Sequence, residues 1–191
     1  MGQEKITKAI ADHGALIEQA FGEQSSELER IAEALVETFH QGGRLLVFGH
    51  GSLGAVANLV ANLFLHRLTL DRPLLPALSL SHDATLAGAL HRDGQSSQLF
   101  VRPLRAVAAQ GDVVLALGGP GRNEALEEAL AAARQLGCKT AVVLWGKGET
   151  NSLSPDFLFC LKTDSAPRGV EGTLTFGHLL CELVESDLFG I

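Results

Sequence analysis

Residues 44–64 read RLLVFGHGSLGAVANLVANLF. An apolar run of strand type opens into six residues carrying three glycines, Gly49, Gly51 and Gly54, and then resumes as an almost unbroken apolar helix. Strand, glycine turn and helix in that order begin a βαβ unit, because glycine lets the chain reverse where a side chain would collide. The loop GHGSLG has three readings: a dinucleotide fingerprint, a phosphate cradle of another kind, or a tight turn that binds nothing.

Four further apolar runs follow: LLPALSL (74–80), DVVLALG (112–118), TAVVLWG (140–146) and DFLFCLK (156–162). None alternates with polar residues, as expected of strands covered by helices on both faces. Between them lie helical segments at 55–68, near 83–90, at 96–109 and at 123–137, and a last helix spans roughly 173–189. The succession predicts an α/β fold, a doubly wound parallel sheet of about five strands.

Ahead of this core, residues 1–43 predict a helical hairpin. Ala9, Ile10, Leu16, Ile17, Ala20 and Phe21 mark one apolar stripe, and Leu28, Ile31, Ala32, Leu35, Val36 and Phe39 a second. Ser26 and Glu29 are placed as a capping box, and Gly42 with Gly43 ends the second helix. The stripes either pack on the core or pair with another subunit. With no linker composition anywhere, residues 1–191 are expected to form one domain, 44–191 being its α/β part.

The formal net charge is −7, and no basic face is clustered in the sequence, which argues against direct nucleic-acid binding. Cys138, Cys160 and Cys181 lack disulfide or metal spacing and are expected as buried free thiols. The start, MGQEKITKAIADHG, has no apolar signal stretch, and no run approaches membrane length; a cytoplasmic protein is expected.

In a parallel sheet ligands bind beyond the carboxyl ends of the strands, where GHGSLG and GGPGRN (118–123) both lie. The dinucleotide reading requires an acidic residue at the end of the second strand. Here that strand ends LSLSH, and Asp83 falls in the following turn. No cofactor is therefore expected. Backbone amides and a helix N-terminus can still hold phosphate without a basic side chain, and two such turns on one edge favour a site.

Taken together, FGHGSLGAVANLVANLFLHRLTLDRP, LPALSLSHD, GDVVLALGGPGRNEALEEALAAARQLGCKTAVVLWGKGE and the final helix resemble the sugar isomerase (SIS) domain, in particular the subgroup of phosphoheptose isomerase (GmhA) and DiaA, in order and spacing over nearly the whole chain. The resemblance implies a phosphosugar ligand and a homotetramer. DiaA associates with the replication initiator DnaA, which implies a DnaA-like initiator as a possible partner.

Carried across position by position, the resemblance fails at most functional residues. Where the family has GNGGS this chain has GHGSL, with Leu53 at the serine position and Ser52 adjacent. Where it has the phosphate-gripping STSGNS, this chain has Gly118, Gly119, Pro120, Gly121, Arg122 and Asn123, without a hydroxyl. The pattern H-F-A-E-E, whose glutamate acts as base, corresponds to Leu59, Val60, Ala61, Asn62 and Leu63. A zinc-binding glutamine falls at Val170, beside Glu171, and only the histidine of the last helix persists, as His178.

Moving a proton between neighbouring sugar carbons needs a base at one carbon and an acid placed for the oxygen, and leucine supplies neither. The sequence thus predicts a phosphosugar-binding SIS protein, a sensor or regulator with no metal site. The alternatives are a DiaA-like factor and an active sedoheptulose 7-phosphate isomerase in which His178 is catalytic. The candidate ligand-binding residues are Gly49, His50, Gly51, Ser52, Asp83, Gly118, Gly119, Gly121, Arg122 and Asn123, with Lys147 and Arg168 as rim groups. Arg122 can replace hydroxyls by two-pronged charge, and Asp83 is either a ligand group or a helix cap. Leu188 and Phe189 match a Leu-Phe pair near the DiaA terminus that contacts the initiator, and can equally be a core anchor.

Overall fold

The computed structural model describes residues 2–69, 71–81, 83–146 and 153–190; Lys147 lies outside them. Among these, all five strands form as read: β1 (Leu45–Gly49), β2 (Ala77–Ser79), β3 (Val113–Gly118), β4 (Lys139–Trp145) and β5 (Phe157–Leu161). They make one parallel sheet in the order β2-β1-β3-β4-β5. The chain leaves β1 towards one edge and returns at β3 to build towards the other, so the topological switch point falls between β1 and β3.

Side chains alternate between two cores. Leu45, Val47, Val113, Leu115, Val143 and Phe159 face one hydrophobic cluster, shared with α1 (Gly2–Glu23), α2 (Ser25–His40), α3 (Ser52–Leu65) and α7 (Ala166–Phe189). Leu46, Phe48, Val114, Ala116, Val142 and Leu144 face the other, beneath α5 (Val101–Val107) and α6 (Glu124–Gln135). A short α4 (Ala84–Arg92) follows β2, and a single 3₁₀ turn (Ser96–Gln98) precedes α5. The segment 96–109 is therefore two pieces rather than one helix.

The N-terminal hairpin is real, but its elbow differs from expectation. Helix α2 begins at Ser25 with Gln24 in the cap position and no side-chain cap, so Ser26 and Glu29 do not form a capping box. Gln24 is used elsewhere. Its side chain donates to the carbonyl of Cys160 at 2.8 Å and accepts from the Cys160 N–H at 2.9 Å, while Glu27 Oε1 accepts from the Leu158 N–H at 3.0 Å. Side chains of the elbow thereby occupy the outer edge of β5, which would otherwise be open to strand pairing. The helix ends as expected, with Gly42 at φ +77°.

The α2 stripe packs inward through Leu28, Ile31, Ala32 and Leu35. Along α1, Leu16 and Ala20 are buried, whereas Ile6 and Ile10 are exposed. Helix α7 starts at Ala166, seven residues before the expected Thr173. Three of its glycines sit where neighbouring side chains leave no room: a Cβ on Gly169 would lie 2.3 Å from Trp145, on Gly172 3.0 Å from Leu161, and on Gly177 2.5 Å from Val60. Residues with poor helix propensity are here the condition for close packing.

Candidate functional site

The turn after β1 is built by its glycines. A Cβ on Gly49 would stand 2.9 Å from that of Leu53, and one on Gly54 3.0 Å from the Gly49 carbonyl oxygen. Gly51 takes φ +56° immediately before α3. The Ser81 hydroxyl accepts from the Gly49 N–H at 2.9 Å and donates to the Gly49 carbonyl at 3.0 Å, tying the end of β2 to this turn.

Beside the turn is a cavity of about 270 Å³, lined among others by Gly49, His50, Gly51, Asn58, Ser81 and Asp83, and backed by Leu80, Leu99 and Phe100. His50 packs edge-on against Phe100 with ring centroids 4.7 Å apart, and burial lowers its pKa from the ordinary value. Asp83 is a helix cap as well as a lining residue: its Oδ1 accepts from the Leu86 N–H at 2.8 Å. Ser52, the first residue of α3, is exposed and is not among the lining residues.

Asn58, Ser81 and Phe100 line the cavity in addition to the residues that the sequence predicts. Asn58, one turn beyond Gly54, is with Ser52 and Asn62 one of the polar residues of a mostly apolar helix, which is the signal the sequence holds for it. Phe100 comes from the segment before α5, and no local pattern marks it.

The second glycine turn is different. Gly118, Gly119, Gly121, Arg122 and Asn123 surround a recess of only about 10 Å³. Arg122 reaches Glu127, with Nε–Oε contacts of 3.1 and 3.2 Å and Nη2–Oε2 at 3.0 Å, and Asn123 caps α6 by accepting from the Leu126 N–H at 3.2 Å. The ring of Trp145 lies against Gly119, where a Cβ would be 3.2 Å from it. Its indole N–H is sealed from solvent and meets no acceptor among the described residues.

The two turns thus share the carboxyl edge of the sheet without lining one cavity. His178, half-buried on α7, lines neither. Leu63, at the position where the resemblance places the base, is 7% exposed and part of the hydrophobic core. Glu171 does not turn towards His178. It stands two helical turns away, roughly 10 Å along the axis, held by His13 at 2.9 Å and by Arg168, which also donates to the Ala9 carbonyl.

The zinc set that the resemblance suggested does not fit these residues. Leu59, Leu63 and Val170 offer no ligand atoms, and among the described residues no group of three or more His, Cys, Asp or Glu could hold a metal ion. Burial raises the pKa of all three thiols. Burial, with Asp112 nearby, pushes Cys138 up to about 11, and burial, with Glu185, pushes Cys181 up to about 12. Cys160 is only half-buried, because it lies on the edge strand; its pKa is also raised by burial.

A family model of the SIS domain matches residues 10–144. The chain belongs to the SIS domain family. Within it, the chain is 34% identical over 189 residues to the phosphoheptose isomerase of Trichlorobacter lovleyi, covering 99% of this chain and 96% of that one. It is 32% identical over 189 residues to that of Thermodesulfovibrio yellowstonii, covering 99% and 94%. Solved structures of a phosphoheptose isomerase from Francisella tularensis (TM-score 0.85, 24% identity, 97% of this chain and 99% of that one) and of GmhA from Neisseria gonorrhoeae (0.88, 20%, 97% and 100%) share the SIS fold. Among the described residues no helix is long and apolar enough to cross a membrane.

Proposed function

We propose that this chain is a phosphosugar-binding SIS protein that does not interconvert aldose and ketose, and that it serves as a sensor or regulator. The observation that carries this reading is Leu63. It fills the core at the position matched to the family's base, and loss of one positioned catalytic group lowers a rate by about 10² to 10⁴. The cavity beside the first turn holds one carboxylate, Asp83, already engaged as a helix cap, and one imidazole, His50.

The test is a product assay with sedoheptulose 7-phosphate, with and without added zinc. No turnover is expected. Turnover abolished by His178→Ala would establish the isomerase alternative, which draws its support from the near full-length similarity to phosphoheptose isomerases.

A second reading, a DiaA-like factor, is favoured by the terminal turn of α7, where Leu188 packs on the core while Phe189 is 37% exposed. Loss of initiator binding in Leu188→Ala or Phe189→Ala supports it, and unchanged binding by the double variant removes it. Self-association, as a tetramer, would cover the exposed Ile6 and Ile10 of α1. Light scattering of Ile6→Asp/Ile10→Asp against the parent tests this, with a smaller particle expected.

A further inference from the structure

The turn after β3 opens α6, a helix of 12 residues, and Asn123 caps it. Residues 118–123 bring no hydroxyl to this helix end. The carboxylates of Glu124 and Glu127 in the first turn oppose an anion there, one of them offset by Arg122. Backbone amides alone are therefore a weak hold on a phosphoryl group, and a donor that strengthens it must come from outside the turn.

Trp145 brings one. Leu144 is the register partner of Gly118 across β3 and β4, which sets Trp145 beside Gly119. Its ring is held between two glycines: a Cβ on Gly169 would stand 2.3 Å from Cδ2, and one on Gly119 would stand 3.2 Å from Cζ2, 3.4 Å from Cε2 and 3.5 Å from Nε1. The ring edge that carries the N–H thus faces the turn, at a residue with no side chain in the way. Trp145 is 8% exposed, and its N–H meets no acceptor among the described residues. A buried indole N–H ordinarily has a partner, and one left unpaired is destabilising. Phenylalanine would fill most of the same space without an unpaired donor. An oxygen about 0.5 Å nearer to Nε1 than the Cβ position on Gly119 would complete the hydrogen bond.

Gly119 is half-buried, and Pro120, Gly121 and Arg122 beyond it are exposed, so a ligand reaches the turn from this side. The recess here holds only about 10 Å³, space for roughly one water, so a phosphoryl group is admitted as the turn moves off the ring edge.

We propose that Trp145 is a ligand-binding residue of the phosphosugar site, its indole N–H donating to a phosphoryl oxygen at the turn after β3 in place of the hydroxyls that the turn lacks. This rests on the phosphosugar-binding reading above and deepens it.

Trp145 is the only tryptophan of the chain, so its indole N–H gives a single resonance in a proton–nitrogen correlation spectrum. The full chain is titrated with D-sedoheptulose 7-phosphate, D-ribose 5-phosphate and D-glucose 6-phosphate, by calorimetry and by NMR. At least one of the three is expected to bind and to move the indole proton downfield. Trp145→Phe is expected to weaken that binding fivefold or more. The same loss is expected with 3-benzothienylalanine incorporated at position 145, which keeps the two-ring shape and lacks the N–H. A smaller loss with this isostere overturns the proposal, since ring shape alone then accounts for Trp145. Binding that leaves the indole resonance in place overturns it too, with the phosphosugar reading intact. If none of the three phosphosugars binds, the proposal falls together with that reading.

Discussion

Arg72 donates through Nε to Glu185 Oε1 at 2.7 Å, with the two side chains only 2% and 4% exposed. Its other nitrogens donate to the carbonyls of Leu63 and Phe64 at 2.9 and 2.8 Å, satisfying the C-terminal end of α3 where the helix leaves its last carbonyls unpaired. The pair therefore joins α3 to α7. Removing one partner strands a buried charge, so Arg72→Ala or Glu185→Ala is expected to lose about 3–5 kcal/mol in urea unfolding. Arg72→Met/Glu185→Leu should recover most of that loss, because an apolar pair of similar volume needs no desolvation. A double variant as unstable as either single one would show that the carbonyl contacts, not the ion pair, dominate.

Glycine in a helix interior normally costs about 1 kcal/mol relative to alanine. At Gly177 the sign reverses. The added Cβ would stand 2.5 Å from Val60 Cγ2, and Val60 is fully buried. Overpacking costs typically 1–3 kcal/mol, so Gly177→Ala is expected to lower the melting temperature, and Val60→Ala in the same chain to restore part of it. A rise in melting temperature for Gly177→Ala alone would mean that α7 shifts away freely.

Gln24 substitutes for a neighbouring strand at the edge of β5. Gln24→Ala leaves the Cys160 N–H and carbonyl without these partners, at about 1–3 kcal/mol for a buried group left unpaired, less where water reaches. Amide exchange at Cys160 should accelerate, and aggregation on warming should increase, since an uncovered edge recruits other chains. Unchanged exchange at Cys160 would show that the side-chain bonds do not protect the strand.

His50 predicts a pH dependence. Burial lowers its folded pKa, whereas the unfolded value is about 6.5. Below that pH the unfolded chain binds more protons than the folded one, so stability falls as pH drops through the window beneath 6.5 and is level above it. The ring remains open to the cavity, so screening keeps the effect small, on the order of 1 °C in melting temperature. His50→Gln should flatten that part of the profile relative to the unaltered protein; an identical slope in both would assign it to other groups.

The strands were legible because their signal is local. Five apolar runs bounded by turn residues became five parallel strands, and the glycine turns fell at their carboxyl ends. The apolar residue types at 59, 63 and 170 are likewise written in the chain, since no packing turns a leucine or valine side chain into a base or metal ligand. The first turns of α7 are hidden from local pattern because Gly169 and Gly172 lower helix propensity, while the reason for their presence, Trp145 and Leu161, lies elsewhere in sequence. Ser26 looked like a cap for the same reason: the competing use of Gln24 depends on β5, more than 130 residues away.

Which glycine turn opens into a cavity was beyond local reading. Both have the composition of a phosphate loop, and the difference arises from Trp145 and the Arg122–Glu127 contact at one turn and from Ser81, Asp83 and Phe100 at the other. Composition and periodicity are properties of neighbours along the chain, so they specify strands, turns and helix stripes. Free volume is set by side chains that meet only when the sheet has assembled, and it exists only in three dimensions.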